Sequence, residues 1–206
     1  MNSLFHRSAV LCFIVLITLV TGCAVTKESR FYTLNSISSQ AVVQRSVETH
    51  ERVLIALGPV EIPDVLDRPQ IVFYSGSNQL VYSEFDRWAG SLKDDISHVI
   101  TADISELLVS DGVTLVSWRQ PVPAKYRIDL RITKFGKISE NEVALSARWT
   151  ISDGKDKKVV HVSESKINES IEGQGHAAVV TAMSRSLQSL SREIADVIRK
   201  ISAEQL

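Results

Sequence analysis

The sequence predicts an α/β domain: a three-layer sandwich with a mixed, mostly antiparallel sheet and two long amphipathic helices. Two stretches carry apolar residues at every third or fourth position, which is the spacing of a one-sided helix. Three consecutive stretches in the second half alternate apolar and polar residues, as half-buried strands do. Shorter apolar runs in the first half end at turns rich in glycine, proline or serine. One mixed sheet covered by the two helices is the simplest arrangement of these elements.

The two helices are predicted from their apolar stripes. The first ends at Gly112, a residue typical of a left-handed helix cap, and its polar face includes Asp94, Asp95 and Asp103. Its stripe consists of Trp88, Leu92, Ile96, Val99, Ile100, Ile104, Leu107 and Leu108. The second helix covers about 176–203 and repeats its apolar residues in a heptad-like pattern. This pattern favours a helix lying on a sheet, and a coiled-coil partner helix is the alternative.

Eight strands are predicted from apolar runs and from alternation. In chain order they cover residues 30–34, 52–60, 71–74, 79–83, 113–118, 126–133, 143–151 and 158–171. The run at 52–60 is apolar throughout, which indicates a central strand buried on both faces. The third and fourth strands flank a short polar turn and form a hairpin. The last three form an antiparallel meander.

The chain begins with a secretory signal that ends at a cysteine. Arg7 precedes an apolar run of about a dozen residues, which is too short to cross a bilayer. The residues Val20, Thr21, Gly22 and Cys23 then resemble a bacterial lipobox, in which a branched apolar residue, a small residue and Gly or Ala precede the modified Cys. The alternatives are an ordinary cleaved signal and an uncleaved anchor.

The lipobox resemblance implies that the Cys23 thiol receives a diacylglyceryl group. It also implies cleavage between Gly22 and Cys23 and acylation of the new amine. Two or three acyl chains hold a protein stably on a membrane. Ala24 permits export to the outer membrane, so we expect Cys23 in its inner leaflet and the domain in the periplasm. The predicted organisation is a signal peptide at 1–22, a lipidated tether at 23–29 and one domain at 30–206.

Composition limits the partners and the chemistry of the cleaved chain. Of 206 residues, 184 remain after cleavage, and loss of Arg7 leaves 22 basic against 24 acidic residues. This nearly neutral balance does not favour nucleic acid. Cys12 lies in the signal and Cys23 is the lipid site, so the rest of the chain has no thiol for a disulfide, a metal or a nucleophile. We expect no cofactor apart from the acyl chains on Cys23.

The motifs of the common catalytic centres are missing from the sequence. It contains no Gly-x-Ser-x-Gly elbow, phosphate loop, dinucleotide fingerprint or His-Glu-x-x-His. The histidines after the signal are His50, His98, His161 and His176, and none has a partner at metal-ligand spacing. Asp94 and Asp95, like Asp64 and Asp67, are paired in sequence only. We therefore do not expect an enzyme.

The three tryptophans allow two interpretations. Trp88, Trp118 and Trp149 could form a stacking surface for a sugar or a lipid. Trp88 and Trp149, however, are in phase with apolar stripes, which favours packing in the core.

Several segments together resemble the ABC-type transport auxiliary lipoprotein family. Besides the lipobox, they are RFYTL at 30–34, LGPVEIP at 57–63, LDRPQIV at 66–72, WAGSL at 88–92, the strand at 126–135 and the terminal helix. The resemblance implies an α/β sandwich and a non-enzymatic accessory role. Members of this family act beside ABC permeases and proteins with MCE domains. These partners form conduits for lipids or other hydrophobic molecules between two membranes. It implies as partners an MCE-domain conduit protein and its inner-membrane transporter, with this chain docking the conduit at the outer membrane and supporting envelope integrity.

The most specific part of the resemblance is segment 66–70, which consists of Leu66, Asp67, Arg68, Pro69 and Gln70. Arg68 precedes a proline and is pushed toward an extended conformation, and the carboxylate of Asp67 can bond nearby backbone. Segment 66–70 either only shapes the start of the next strand or forms a docking edge from which Arg68 projects. A symmetric conduit also suggests that this chain forms a homo-oligomeric ring.

Two other functions remain open from the sequence. The chain could be a stand-alone lipoprotein that carries a lipid in its own pocket, which requires a large dry cavity. It could also be a structural lipoprotein of the envelope with no role in transport, which requires no permease partner.

Overall fold

The computed structural model describes residues 27–37, 53–76, 78–119 and 122–203. Within these ranges lie eight strands and two long helices. The strands are β1 (Arg30–Tyr32), β2 (Val53–Glu61), β3 (Gln70–Ser75), β4 (Gln79–Trp88), β5 (Val113–Ser117), β6 (Tyr126–Ser139), β7 (Glu142–Asp153) and β8 (Val159–Ser170). The helices are α1 (Leu92–Leu107) and α2 (Gly175–Ala203). Each predicted strand and helix has its counterpart, and the α/β class is confirmed.

The strands divide into two sheets, where one mixed sheet was expected. The larger sheet has the order β5-β2-β6-β7-β8 and the smaller one the order β1-β4-β3. The predicted meander and the predicted hairpin are both present as antiparallel ladders. The strand β2 is parallel to its neighbours β5 and β6, and β1 is parallel to β4. The hairpin forms a sheet of its own because it pairs with the short β1 and not with the meander.

Both helices cover the same face of the five-stranded sheet. The helix α1 packs against β2 and β5, α2 packs against β6, β7 and β8, and the two helices contact each other. The inward residues of β6 are Tyr126, Ile128, Leu130 and Ile132, which alternate with more exposed polar residues. The buried stripe of α2 includes Met183, Leu187, Leu190 and Ile194, which confirms a helix on a sheet. In the described part of the chain, no helix is long and apolar enough to cross a bilayer.

The helix α1 begins after Trp88 and not at it. Trp88 is the last residue of β4, so its assignment to the helical stripe was wrong. The N-cap is Ser91, whose Oγ accepts a 3.2 Å hydrogen bond from the N–H of Asp94; serine is a favoured residue at this position. Beyond the helix, a 3₁₀ turn at Val109–Asp111 leads to Gly112, which has the predicted left-handed conformation (φ +67°).

The two sheets meet where β3 passes over β6. Gly136 of β6 has a φ of +154°, and a Cβ atom there would lie 2.9 Å from the carbonyl oxygen of Val72. Glycine allows both this conformation and this close approach of two backbones. Gly136 thereby sets the distance between the three-stranded sheet and the rest of the domain.

Candidate docking site

Segment 66–70 forms a tight turn that leads into β3. The side chain of Leu66 is buried in the core, and its backbone N–H donates to the carbonyl of Pro63 at 2.8 Å. The carbonyl of Pro69 accepts a 2.7 Å hydrogen bond from the N–H of Trp88. The path of the segment is therefore fixed at both ends by backbone hydrogen bonds and by one buried side chain.

Arg68 does not project freely from segment 66–70. Its guanidinium carbon lies 4.3 Å from the centroid of the Tyr82 ring, within the range of a cation–π contact. The Nε of Arg68 is buried and has no hydrogen-bond partner among the described residues. An unpaired buried N–H is unfavourable, and a carboxylate or carbonyl that reached it would remove this penalty. Asp67 and Pro69, on either side, are exposed, so a docking partner would meet an acid, a proline and a stacked cation.

A buried carboxylate, Asp86, joins β1 to β4. The Nε of Arg30 lies 2.8 Å from its Oδ1, and the hydroxyls of Tyr32 and Ser83 each donate to it at 2.9 Å. Burial would raise the pKa of Asp86, but the hydrogen bonds from these three side chains outweigh burial and hold the pKa below its usual value. The charged carboxylate therefore fixes β1 to the domain. Asp86 was not among the predicted site residues, although its place two residues before Trp88 puts both on the buried side of one strand.

His176 faces the same carboxylate from the first turn of α2. Its Nδ1 lies 3.4 Å from Oδ2 of Asp86, and its ring centroid is 5.2 Å from that of Phe73. Burial lowers the pKa of His176; Asp86 opposes this effect, whereas Arg30 and Lys137 add to it. The imidazole is therefore neutral at neutral pH. This network ties β1, β4 and α2 together, which is a structural role.

Two acidic residues of α1 hold the segment that follows β1. Oδ2 of Asp95 accepts a 2.8 Å hydrogen bond from the N–H of Leu34, and Oδ1 of Asp103 accepts one of 2.7 Å from the N–H of Ile37. The prediction that Asp103 lies on the polar face is wrong, because its side chain is fully buried. Ser191 of α2 closes over it and donates to its Oδ2 at 3.4 Å.

The three tryptophans do not form one surface. Trp88 and Trp149 are buried in the core, which confirms the favoured interpretation, whereas Trp118 is 45% exposed. Trp118 borders an open cleft of about 360 Å³ together with His98 and Arg119. It is open to solvent and is lined by both polar and apolar side chains, whereas carrying a lipid requires a large dry cavity. This cleft gives the alternative of a stand-alone lipid carrier no support.

Among the described residues, no group of three or more His, Cys, Asp or Glu side chains is placed to bind a metal ion. His98 is exposed on α1, and the ring of His161 lies 5.1 Å from that of Trp149. Asp94 and Asp95 have different surroundings, as expected for neighbours on a helix. The residues of the predicted signal and lipobox, Arg7, Cys12, Val20, Thr21, Gly22, Cys23 and Ala24, and also His50, lie outside the described ranges.

Comparison with protein families gives a match over most of the chain. The model of a family described as the ABC-type transport auxiliary lipoprotein component matches residues 32–195. The matched range includes segment 66–70, both sheets apart from the first residues of β1, and most of both helices. None of the curated proteins compared with the chain matches it.

Solved structures with the same fold share little sequence with this chain. A crystal structure of a protein described as uncharacterized has a TM-score of 0.69 at 18% identity and covers 84% of this chain and 99% of its own. Protein XCC0632 from Xanthomonas campestris has a TM-score of 0.68 at 13% identity, with 86% and 100% covered. Lipoprotein GNA1162 from Neisseria meningitidis, at 12% identity and with 70% and 99% covered, has a TM-score of 0.36, too low to carry an argument. The two better matches support the fold alone.

Proposed function

Because the chain belongs to the ABC-type transport auxiliary lipoprotein family, we propose that it is a non-catalytic, lipid-anchored subunit of a system that moves lipids or other hydrophobic molecules between two membranes. The observation that carries this proposal is the family match across residues 32–195. The family is one of auxiliary transport components and not of enzymes, and the described polar clusters have structural partners.

The anchor of this subunit is the lipid on Cys23. In this proposal the signal is cleaved after Gly22, the acylated Cys23 sits in the inner leaflet of the outer membrane, and the domain faces the periplasm. The support is the lipobox in the sequence, together with Ala24 after the cysteine. The strand β1 begins seven residues after Cys23 and is tied to Asp86 by Arg30, so an anchor there would hold the folded domain on a short tether.

The partner of this subunit is an MCE-domain conduit protein with its inner-membrane transporter. Segment 66–70 is the proposed docking edge, since its backbone path is fixed while Asp67 and Pro69 are exposed. The stacked Arg68 adds a cation with an unpaired N–H. A ring of copies at the end of a symmetric conduit would present this edge several times, and a concentration-independent monomer in sedimentation would contradict the ring.

Crosslinking in cells tests the proposed function. The full lipoprotein is crosslinked, solubilised and captured, and its partners and lipids are identified by mass spectrometry. Recovery of an MCE-domain protein or its permease is the expected result, and a Cys23→Ser variant, which cannot be lipidated, should lose this recovery. Recovery of stoichiometric lipid without these proteins would instead favour a stand-alone carrier. Separation of inner from outer membranes locates the anchored protein.

A further inference from the structure

The part of the β3–β4 hairpin nearest its turn carries no charge. No Asp, Glu, Lys, Arg or His occurs from 71 to 83, although charged residues make up 23% of the chain. The hairpin is also rich in aromatic residues, and two consecutive side chains of β4, which point to opposite faces of the sheet, are both exposed to solvent near the turn. These are Val81, 44% exposed, and Tyr82, 43% exposed, which together are named the hairpin patch.

Cations surround this uncharged end of the hairpin. The Nζ atoms of Lys134 and Lys137, both on β6, lie 5.1 Å from the ring centroid of Tyr74 and 6.0 Å from that of Phe73. Arg68 stacks on Tyr82, as described above. Acids also lie nearby. Glu140 pairs with Lys137 at 3.0 Å, Glu84 is the next, exposed residue of β4, and the buried Asp86 accepts a 2.9 Å hydrogen bond from Ser83.

The direction of β1 brings the anchor to the same place. Because β1 runs parallel to β4, with Arg30 opposite Asp86, the chain before Arg30 runs back along β4 toward the hairpin. Lys27 confirms this path, since its Nζ lies 5.3 Å from the ring centroid of Phe85. Lys27 is the fourth residue after Cys23, and four steps of extended chain span at most about 14 Å. The lipid-bearing residue is therefore confined to the neighbourhood of the three-stranded sheet.

We propose that the hairpin patch rests in the headgroup region of the bilayer that holds the Cys23 lipid. The inference rests on the lipid anchor of the proposed function and adds a second point of membrane contact. Tyrosine is enriched at the membrane–water interface, and the uncharged turn end of the hairpin enters it without desolvating a charge. Lys27, Lys134 and Lys137 are placed to face lipid phosphates, which attract basic residues close to the surface. The anchor makes this weak contact effective because it keeps the patch beside the bilayer.

Site-directed spin labelling of the lipidated protein tests this contact. The thiol of Cys23 is consumed by the lipid and Cys12 is lost with the signal, so a Val81→Cys variant carries a single free thiol. The full protein is reconstituted into vesicles of phosphatidylethanolamine and phosphatidylglycerol. The control is Val162→Cys, since Val162 is 60% exposed on β8 of the other sheet. Relaxation of each label by oxygen, which concentrates in lipid, and by a water-soluble nickel chelate reports its depth.

We expect the label at 81 to be more accessible to oxygen than the label at 162. We also expect it to be several-fold less accessible to the nickel chelate. Equal access of nickel to both labels, in protein whose lipid is confirmed by mass spectrometry, would overturn the membrane contact and leave the anchor intact. Shielding of the label at 81 from both reagents would indicate contact with a second copy and would also overturn it. If Cys23 carried no lipid, both the proposed lipid anchor and the membrane contact of the hairpin patch would be overturned.

Discussion

Oδ1 of Asp103 accepts a 2.7 Å hydrogen bond from the backbone N–H of Ile37, so a residue of α1 fixes the chain shortly after β1. The carboxylate lies between the two helices, where burial raises its pKa from 3.8 to about 6, although the bonds from Ile37 and Ser191 oppose the shift. The network thus holds an acid that is only partly ionised near pH 6.

The stability of the domain should depend on the protonation of Asp103. A folded-state pKa above the unfolded value means that the folded state binds the proton more tightly. The stabilisation that this proton gives the folded state is fully present below about pH 4 and is lost as pH rises through 6. A pKa of about 6 against 3.8 corresponds to about 3 kcal/mol. An Asp103→Asn variant keeps an acceptor for Ile37 but does not titrate. Its free energy of unfolding relative to wild type should therefore rise by up to about 3 kcal/mol between pH 4 and pH 8.

Urea unfolding at several pH values measures this difference. The comparison with wild type removes the contributions of all other groups. Asp64→Asn, at an exposed position of the turn before β3, is the control and should follow wild type. Parallel pH profiles for wild type and Asp103→Asn would show that the carboxylate is not the titrating group.

Asp86→Asn should loosen β1. Asp86 has a lowered pKa, so its stabilising effect is present above the unfolded value of about 4 and is lost as pH falls through the folded one. Removal of the charge at pH 7 weakens the bonds from Arg30, Tyr32 and Ser83. Hydrogen bonds to charged groups contribute about 1.5–3 kcal/mol, and we expect a loss of about 2–3 kcal/mol. Hydrogen exchange of the β1 amides should accelerate, whereas Glu84→Gln, at an exposed site on the same strand, should leave it unchanged.

Arg68→Ala tests the docking edge. An exposed cation–π contact is worth about 0.5–1 kcal/mol, so the variant should fold with a free energy of unfolding within about 1 kcal/mol of wild type. If segment 66–70 docks the conduit, capture of the transport partner should fall about tenfold, as for an arginine central to an interface. Arg119→Ala removes a similar stacked arginine, 5.9 Å from the ring of Trp118, and should not change capture. Equal capture by the two variants would remove segment 66–70 from the interface.

Gly136→Ala should push the two sheets apart. A Cβ atom would meet the carbonyl oxygen of Val72 at 2.9 Å, with the backbone at a φ of +154°. Strain of this kind costs about 1–3 kcal/mol, which thermal or urea unfolding will detect. Gly90→Ala is the matched control, because it has open space around it and no positive φ. A variant at 136 as stable as the one at 90 would mean that the sheets can separate freely.

The elements of the fold were predictable because their burial is one-sided. Alternation along β6 and the stripe of α2 follow directly from which face is covered. Trp88 shows the limit of this reasoning, since it is in phase both with the stripe of α1 and with the buried side of β4. Only the N-cap residue Ser91 distinguishes the helix from the strand here, and an N-cap residue locates the start of a helix more firmly than apolar periodicity does. The division into two sheets could not be predicted, since no residue pattern states that the short β1 pairs with β4.

The site was predictable only in part. Segment 66–70 was singled out by the family resemblance, but the stacking of Arg68 on Tyr82 depends on how the hairpin folds back. Asp103 was assigned to solvent from its polarity, although it follows Val99 and Ile100 at helical spacing and so lies on the apolar face. A charged residue in phase with a stripe is thus a signal of a buried partner, here the backbone of Ile37.

The parallel pairing of β1 with β4 also decides how the domain would bear mechanical load. Tension from a lipid on Cys23 would enter at β1 and pull it along its own axis. The hydrogen bonds between β1 and β4 would then resist in shear, all together, and the contacts of Arg30 and Tyr32 with Asp86 would share the force. In the proposed function, the joint most exposed to relative movement of membrane and conduit would therefore be this three-residue strand, while the meander would lie off the line of pull.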